Sequence, residues 1–396
     1  MTNPRPSTES TNEMASAHHV SASTVQCVGI VGGGLAGLAC AIAAAVRGAS
    51  VDLYDELMAP APVAAFVEVV PNMLRDLAVL GLAEDCVRAG FAFGGQEVID
   101  RQGHLRLEIA MPHLAGQRYP AAVGIEHDEL TRILERHARA RGVRLHRGVA
   151  VRDVVYREDR AELALANGAV QSCDLVVLAS GMQSALRTAL FAHAVEAHQV
   201  DQVWWYTLVQ RPLDLQRSTL YVGSAGRKVL MVPIRGDLAG LALVEPLRDA
   251  SDDCAMSPVD HVRTALARFP SRLSSVAQQV RDDAPVTRRT LHRSLMPSPW
   301  HQRVVIAVGN AAHAMPPHFG QAAAQAFEDA VVISDLLRSA RSGAELAARY
   351  TKRRFDRARQ VHEIAWTAAR WDLEPSTTTN LRELSETLSR IVAMPA

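Results

Sequence analysis

The sequence predicts an α/β protein in which a parallel-sheet domain is interrupted by an antiparallel β-sheet domain and followed by C-terminal helices. Three observations predict this fold. A glycine-rich turn between a short apolar run and an alanine-rich run opens the chain at residues 27–55. Short strand-like runs separated by glycine-containing turns occupy residues 202–244. A buried-strand pattern and a long helical pattern then return at residues 303–337, as expected when an interrupted domain is completed.

The opening stretch has the order strand, glycine turn, helix, strand and acidic residue. The apolar run Cys27–Val31 is too short for a helix, whereas the alanine-rich run 36–47 predicts one. A second strand is predicted at residues 50–54, directly before Asp55. The glycines between the first strand and the helix have G-x-G-x-x-G spacing, which in this setting is a dinucleotide-binding fingerprint and predicts a Rossmann-like domain. The candidate binding residues are Gly32, Gly34, Leu35, Ala36, Gly37 and Asp55.

Each residue type in this fingerprint suits one portion of a dinucleotide. Gly32 allows a tight turn, Gly34 lets the backbone approach a pyrophosphate, and Gly37 lets helix and strand pack closely. The helix N-terminus offers unpaired N–H groups to the phosphate. Asp55 is placed to accept hydrogen bonds from ribose hydroxyls. The alternative is a glycine turn that serves only helix–strand packing.

The chain from residue 58 to residue 179 predicts a proline-containing loop and then short strands and helices. The uniformly apolar residues 175–178 predict a strand buried on both faces. The dipeptide Asn167-Gly168 is a strong signal for a hairpin turn. The expected elements are a loop at 58–63, a strand at 66–70, a helix at 71–80, a hairpin at 94–107, a helix at 127–141 and a hairpin at 163–178.

The second half of the chain predicts a sheet followed by helices. Four short strands at residues 203–209, 219–222, 229–234 and 238–244 have the regular spacing of an antiparallel meander. The elements expected after them are helices at 259–269 and 272–280, a buried strand at 303–308, and helices at 321–337, 345–369 and 381–391.

These elements predict a division of the chain into alternating segments of two domains. A leader rich in Ser, Thr and Asn comes first, and C-terminal helices come last. The predicted order is a disordered leader (1–25), a first nucleotide-binding segment (26–66), a first substrate-domain segment (67–126), a second nucleotide-binding segment (127–190), the β-sheet substrate domain (191–285), a third nucleotide-binding segment (286–340) and C-terminal helices (341–396).

Composition excludes several classes of partner. The formal net charge is zero, with 42 basic and 42 acidic residues, so no overall field attracts nucleic acid. No charge-free apolar run reaches membrane-spanning length, and we expect no integral membrane segment. The five cysteines are scattered without a C-x-x-C pair, which favours a reduced compartment, the cytoplasm. His, Cys and Asp residues show no metal-ligand spacing, so the sequence predicts no metal.

Two further segments carry motifs beside the glycine fingerprint. Residues 173–187 read CDLVVLASGMQSALR, and residues 309–330 read GNAAHAMPPHFGQAAAQAFEDA. These are similar to D-L-V-V-G-A-D-G-x-x-S-x-V-R and to G-D-A-A-H-x-x-x-P-x-x-G-Q-G-A-N-x-A-x-E-D-A. In this order, the three motifs resemble those of the FAD-dependent aromatic monooxygenases of the para-hydroxybenzoate hydroxylase type. The resemblance extends over almost the whole chain after the leader.

The resemblance implies a complete set of reactants and cofactor contacts. FAD would be the cofactor, NAD(P)H and O2 the co-substrates, and a flavin hydroperoxide would hydroxylate an aromatic or heteroaromatic small molecule. Asn310 would contact the ribityl chain, where its amide can both accept and donate hydrogen bonds. We expect a monomer or a homodimer. The cofactor-binding residues implied in these segments are His127, Arg187, Gly309, Asn310, Gly320, Gln321, Ala322 and Ala323.

Several positions depart from the family's pattern. Ser180 and Asn310 each stand where the family has Asp, His127 where it has Arg, and Ala322 where it has Gly. A second interpretation therefore stays open, a non-catalytic or ligand-sensing flavoprotein fold with eroded redox motifs. A third interpretation is a flavin halogenase, but the W-x-W-x-I-P signature of that group is absent from the sequence.

The resemblance also suggests residues for catalysis and for substrate binding. Pro317 would lie against the flavin ring and His318 nearer the substrate, where a neutral imidazole can take a proton from a phenol being hydroxylated. The alternative for His318 is a solvent-exposed loop histidine. Trp204 and Tyr206 share one face of a strand. With Phe66, they either line an aromatic pocket or pack in the core of the sheet.

Overall fold

The structure is a computed structural model that describes residues 24–59, 65–191, 196–250, 256–269, 271–375 and 379–396. Most of the expected leader, most of the loop expected at residues 58–63, and Cys254 lie outside the described residues. The division into seven segments stays a prediction.

The strands are short, and most of them have buried apolar residues on at least one face. They are, in chain order, β1 (Cys27–Val31), β2 (Ser50–Asp55), β3 (Phe66–Val69), β4 (Phe91–Phe93), β5 (Gly95–Ile99), β6 (Leu105–Ala110), β7 (Ala122–Glu126), β8 (Arg144–Arg147), β9 (Val151–Tyr156), β10 (Ala161–Leu165), β11 (Val170–Cys173), β12 (Leu175–Leu178), β13 (His198–Gln210), β14 (Ser218–Val222), β15 (Lys228–Arg235), β16 (Leu238–Pro246), β17 (Thr287–Leu295), β18 (His301–Gln302) and β19 (Val305–Ala307).

The eight predicted helices are present to within a few residues at most ends, the helix expected at 345–369 continues to residue 373, and the described residues form three short helices that the sequence did not predict. They are α1 (Leu35–Val46), α2 (Pro71–Val79), α3 (Ala83–Ala89), α4 (His127–Ala140), α5 (Ala185–Leu190), α6 (Pro258–Leu266), α7 (Ser271–Gln279), α8 (Asn310–His313), α9 (Gln321–Leu336), α10 (Gly343–Leu373) and α11 (Leu381–Ala393). A 3-10 turn, His318–Gly320, precedes α9.

A six-stranded sheet forms the centre of the nucleotide-binding region. Its order is β18-β19-β12-β1-β2-β8, and all pairs are parallel except β18 with β19. Every residue of β12 and β19 is buried, as the apolar runs predicted. Helices α1 and α9 share one apolar core with this sheet, through residues such as Leu38, Leu53 and Phe327. The predicted Rossmann-like domain is therefore confirmed.

A seven-stranded sheet forms the second unit, in the order β17-β13-β16-β15-β14-β5-β6. Strands β14, β15 and β16 form a meander, but β13 pairs with β16 and β17, so the expected four-stranded meander is wrong at its first strand. Alternating side chains indicate that a strand exists without specifying its neighbour. Strand β17 had no apolar alternation to reveal it, because arginine, threonine and histidine make up most of Thr287–Leu295.

Two smaller three-stranded sheets complete the described fold, in the orders β11-β10-β9 and β3-β7-β4. The hairpin of β10 and β11 turns at Gly168, whose φ of 85° fits the predicted turn. Cys40, Cys86 and Cys173 are buried free thiols. Within the described ranges, no helix is long and apolar enough to cross a bilayer.

Candidate active site

The glycine turn after β1 is shaped by backbone contacts that only glycine permits. Gly32 has a φ of 106°, and its N–H donates to the carbonyl oxygen of Tyr54 at 2.8 Å. A Cβ atom at Gly37 would overlap the carbonyl oxygen of Gly32, so this position joins helix and turn closely. Around Gly34, by contrast, no heavy atom lies within 4 Å of an added Cβ atom. The turn therefore has open space at the position expected to face a pyrophosphate.

Two helix N-termini in this region have glycine as the residue before the helix. Gly34 precedes α1 and Gly320 precedes α9, and neither helix has a side-chain cap or an acidic residue in its first turn within the described structure. Uncapped N–H groups and the positive end of a helix favour a negative group. The start of α8 lies beside the start of α1, since a Cβ atom at Gly309 would come within 2.8 Å of Ala36 Cβ. This arrangement fits a ligand with a phosphate near α1.

Asp55 lies at the end of β2 and below the glycine turn. One of its carboxylate oxygens accepts the N–H of Gly33 at 3.1 Å and forms an ion pair with Arg147 of β8. Arg147 also pairs with Glu135 and donates to the carbonyl oxygen of Gly33 at 3.3 Å. Sequence reasoning did not find Arg147, because only the parallel pairing of β2 with β8 brings it opposite Asp55.

Asn310 is the exposed first residue of α8, and a buried network holds this short helix in place. Asp329 accepts the N–H of Gly309 at 2.8 Å and lies 2.8 Å from Nε2 of His313 and 2.7 Å from Nε of Arg354. Burial alone would raise the pKa of Asp329, but His313, Arg354 and the Gly309 N–H together hold it well below its usual range. His313 therefore has a structural position, and the amide of Asn310 is left at the surface.

Arg187 connects the second and third motifs. Its guanidinium donates to the carbonyl oxygens of Ala311 at 2.6 Å and Met182 at 2.8 Å, and to Oγ of Ser294 at 3.2 Å. Burial lowers its pKa. These contacts hold the second and third motifs together. The expected direct contact of Arg187 with a cofactor stays a prediction. Ser180 lies nearby in the same motif, with its buried Oγ unpaired among the described residues.

The loop before α9 contains two consecutive residues in the left-handed region. Phe319 has a φ of 59° and Gly320 a φ of 67°. A positive φ at Phe319 stores strain that glycine at Gly320 avoids. Ala322 and Ala323 lie in the first turn of α9 with helical geometry, so replacing the family's glycine at Ala322 introduces no such strain.

Gln321 fixes the start of α9 through a second amide. Nδ2 of Asn72 donates to Oε1 of Gln321 at 3.1 Å, and Nε2 of Gln321 donates to Oδ1 of Asn72 at 3.2 Å. Both side chains are buried. The reciprocal pair joins α2 to α9 across most of the chain, which sequence spacing did not indicate.

An aromatic cluster lies where β13 of the seven-stranded sheet meets this loop. The ring centroids of Phe66 and Tyr206 are 6.0 Å apart, those of Tyr206 and Trp204 are 5.8 Å apart, and those of Trp204 and His318 are 5.6 Å apart. All three aromatic residues are buried in one cluster with residues of β15 and β16. The structure therefore brings together the three expected substrate residues and the expected catalytic histidine, with Pro317 next to it in the chain.

His318 is a mostly buried side chain with one hydrogen-bond partner among the described residues. Its Nε2 lies 2.9 Å from Oδ2 of Asp372, and its Nδ1 is buried without a hydrogen bond. Asp372 also forms an ion pair with Lys228 and accepts from Nε2 of Gln202 at 3.4 Å. The alternative of a solvent-exposed loop histidine is wrong. Asp372 was missed because the predicted C-terminal helix ended at residue 369.

His127 begins α4 at the position where the resemblance implies a cofactor contact. It is buried, its backbone N–H donates to the carbonyl oxygen of Ala65 at 3.2 Å, and its Nδ1 has no hydrogen bond within the described structure. Burial lowers its pKa, although Asp128 acts in the opposite direction. The imidazole is therefore neutral at pH 7. Across the described ranges, no group of three His, Cys, Asp or Glu residues could hold a metal ion.

Comparison with known proteins identifies the family of the chain. Residues 25–365 match the family described as "FAD binding domain". The chain belongs to this family. It is 28% identical over 340 residues to the putative FAD-dependent monooxygenase YetM of Bacillus subtilis, covering 85% of this chain and 91% of that protein. It is 30% identical over 303 residues to the putative 2-heptyl-3-hydroxy-4(1H)-quinolone synthase AqdB1 of Rhodococcus erythropolis, covering 74% of each.

A solved structure has a similar fold. The crystal structure of Klebsiella pneumoniae HpxO complexed with FAD and uric acid superposes with a TM-score of 0.76 and 22% identity, covering 93% of this chain and 92% of that one. The predicted fold class, the resemblance to aromatic monooxygenases and the cofactor are confirmed. This protein is an FAD-dependent monooxygenase that uses NAD(P)H as its co-substrate. The comparisons therefore favour the catalytic interpretation over a non-catalytic or sensing fold.

Proposed function

We propose that the enzyme hydroxylates a planar aromatic or heteroaromatic small molecule held between the loop at residues 316–320 and the seven-stranded sheet. The observation that carries this proposal is the cluster of Phe66, Trp204 and Tyr206, which contacts His318 of that loop. Large aromatic side chains give a planar ring an apolar surface to stack on. The name of AqdB1 refers to a quinolone and the HpxO crystal contains uric acid, and both compounds are heteroaromatic.

The residues that would hold FAD follow from the two uncapped helix N-termini and the glycine turn. The open space at Gly34 suits the pyrophosphate, Asp55 the ribose, Asn310 the ribityl chain, and the N-terminus of α9 the flavin ring. Bound FAD supplies electron transfer from NAD(P)H to dioxygen and delivery of one oxygen atom to the substrate ring. The full proposed set is Gly32, Gly34, Leu35, Ala36, Gly37, Asp55, His127, Arg187, Gly309, Asn310, Gly320, Gln321, Ala322 and Ala323.

His318 is the proposed proton acceptor for the substrate. The Asp372 carboxylate can only accept, so Nε2 carries the hydrogen and Nδ1 has a free lone pair. A hydroxyl or ring N–H of the substrate donates its proton to Nδ1, and the electron pair left behind enriches the ring for hydroxylation. Pro317 is proposed to lie against the flavin ring and to help exclude water from it.

The location, the reactants and the assembly of the enzyme are proposed from its chemistry. We place the enzyme in the cytoplasm, because NAD(P)H is produced inside cells and the four described cysteines are free thiols. The proposed reactants are a small aromatic molecule and dioxygen, and the proposed assembly is a monomer or a homodimer. Size-exclusion chromatography with light scattering distinguishes these two states from larger ones.

The function is tested with FAD-loaded enzyme and a panel of hydroxypyridines, quinolones, purines and phenols. We expect one or more compounds to accelerate NAD(P)H oxidation and to gain one oxygen atom from oxygen-18-labelled dioxygen, measured by mass spectrometry. The proposal is wrong if every compound that binds the enzyme is recovered without oxygen-18 and all the electrons from NAD(P)H are recovered as hydrogen peroxide.

A further inference from the structure

The imidazole of His318 is held by a carboxylate from a distant helix. Asp372 lies near the end of α10, and its side chain is only 2% exposed. The 2.9 Å contact uses Nε2, so Nδ1 lies on the opposite side of the ring from the carboxylate. Trp204 packs edge-on against the same imidazole. The ring therefore has one tautomer, with its hydrogen on Nε2, and contacts both Asp372 and Trp204.

Asp372 is itself held from the seven-stranded sheet. Lys228 of β15 forms an ion pair with the other carboxylate oxygen, Oδ1, and Nε2 of Gln202 of β13 donates to Oδ2 at 3.4 Å. Gln202 also donates to the carbonyl oxygen of Ala369 at 3.2 Å, so the sheet fixes the helix as well as the carboxylate. Burial would raise the pKa of Asp372, but His318 and Lys228 outweigh burial and the pKa lies below its usual range. The carboxylate is charged at pH 7.

We propose that Asp372 and Lys228 are positioning residues that act as a pair on His318 and set the pH range in which it accepts the substrate's proton. This inference rests on the proposed role of His318. In the step concerned, the substrate's O–H or N–H bond breaks and its proton moves to Nδ1. The electron pair stays on the substrate. The hydrogen on Nε2 remains shared with Asp372, whose negative charge stabilises the imidazolium that forms.

Asp372 and Lys228 have opposite effects on the stability of that imidazolium. Asp372 stabilises it directly, whereas the ammonium of Lys228 neutralises some of the carboxylate's charge and weakens this effect. Two further elements, β3 and α9, pack against the loop of His318. Glu68 of β3 is buried with its pKa raised by burial, and Gln321 of α9 donates an uncharged amide N–H to the carbonyl oxygen of Phe319 at 3.4 Å. Arg289 of β17 lies opposite Trp204 in the sheet. These residues stay unchanged in the variants below.

The test compares Asp372→Asn with Lys228→Met in the FAD-loaded enzyme with one substrate, so that the substrate's own ionisation is constant. The readout is the pH profile of product formation, together with bound flavin and Tm. We expect Asp372→Asn to move the acidic limb to lower pH by about one unit, the effect of one neighbouring charge. It is also expected to lower the maximal rate roughly 10- to 1,000-fold, because an amide can hold the wrong tautomer.

Lys228→Met is expected to move the acidic limb in the other direction, to higher pH, with bound flavin unchanged. This variant alone decides the question if Asp372→Asn does not fold. Matched controls are Asp356→Asn and Lys352→Met, exposed residues of α10 whose replacement is expected to leave the profile in place. A structural role for the pair would change Tm or flavin content and leave the limb where it is.

His318→Gln separates failure of this inference from failure of the proposed function. If His318→Gln removes the limb but neither Asp372→Asn nor Lys228→Met shifts it, the pair does not act on His318 and the inference is overturned. Shifts of both variants in the same direction also overturn it. If His318→Gln leaves both rate and limb unchanged, His318 is not the proton acceptor, and the proposed function fails at that residue.

Discussion

Arg147 and Asp55 form an ion pair directly below the glycine turn. The pair is largely buried, with each side chain 12% exposed. Asp55 also accepts the N–H of Gly33, and Arg147 donates to the carbonyl oxygen of the same residue. The pair therefore fixes both the carboxylate expected to bind ribose and the backbone expected to approach the pyrophosphate.

Replacing Arg147 by Met is expected to weaken FAD binding without removing the fold. Loss of the guanidinium leaves Asp55 and Glu135 uncompensated beside an anionic ligand, so we expect a roughly 10- to 100-fold weaker affinity, the value of one charge-assisted hydrogen bond. Flavin fluorescence titration of the apoprotein measures it. Arg144→Met is the control, since Arg144 lies in the same strand but pairs with Asp52. Equal affinities in both variants would contradict the assignment.

Gly34 and Gly37 predict opposite outcomes for the same substitution. Valine at Gly34 meets open space, so we expect Gly34→Val to fold with a Tm near that of the parent and to bind no FAD. Valine at Gly37 overlaps the carbonyl oxygen of Gly32, and we expect Gly37→Val not to fold. Gly94→Val, also in open space but far from the fingerprint, is expected to keep both properties. Retained flavin in Gly34→Val would show that the fingerprint is not the FAD site.

His362 is expected to make the fold sensitive to mild acid. It is 1% exposed, both ring nitrogens are buried without a hydrogen bond in the described structure, and burial lowers its pKa. Below about pH 6.5 the unfolded chain binds a proton that the folded chain does not, so stability falls as pH decreases by up to about 1.4 kcal/mol per pH unit. Above that pH this residue contributes no slope.

The variant that checks this is His362→Leu, which removes the titrating group. Urea unfolding at pH 7 and pH 5 gives the free energy of unfolding, and we expect the variant to lose less stability between the two than the parent does. His104→Leu, an exposed residue of the loop between β5 and β6, is the control and is expected to keep the parent's slope. A slope unchanged in His362→Leu would rule out this origin.

Much of the fold could be predicted because its signals are local. The strand β1, the start of α1 and the turn at Gly168 follow from residues within a few positions of one another. The contacts that complete the site are not local. Asp372 meets His318 only after α10 has returned to the sheet, and no periodicity in either segment specifies the other. The pairing of β13 with β16 rather than with β14 likewise depends on tertiary packing. Either pairing would leave the same alternating side chains on each face of the sheet.

Trp204 and Trp205 are adjacent on β13 and predict different losses when each is changed to Phe. Nε1 of Trp204 is buried without a partner among the described residues, whereas Nε1 of Trp205 donates to Glu245 at 2.9 Å on the other face of the sheet. Trp204→Phe is therefore expected to leave Tm nearly unchanged and to raise the KM for the aromatic substrate about tenfold, because it removes the Nε1–H as a donor to the substrate and reduces the stacking area.

Trp205→Phe is expected to show the reverse. It leaves Glu245 with one donor fewer and costs about 1–3 kcal/mol of unfolding free energy, while the KM stays near that of the parent. Steady-state kinetics and urea unfolding of the two variants give both quantities. If Trp205→Phe raises the KM as much as Trp204→Phe does, the substrate does not bind on the face of the sheet where Trp204 contacts Tyr206 and His318, because Trp205 lies on the opposite face.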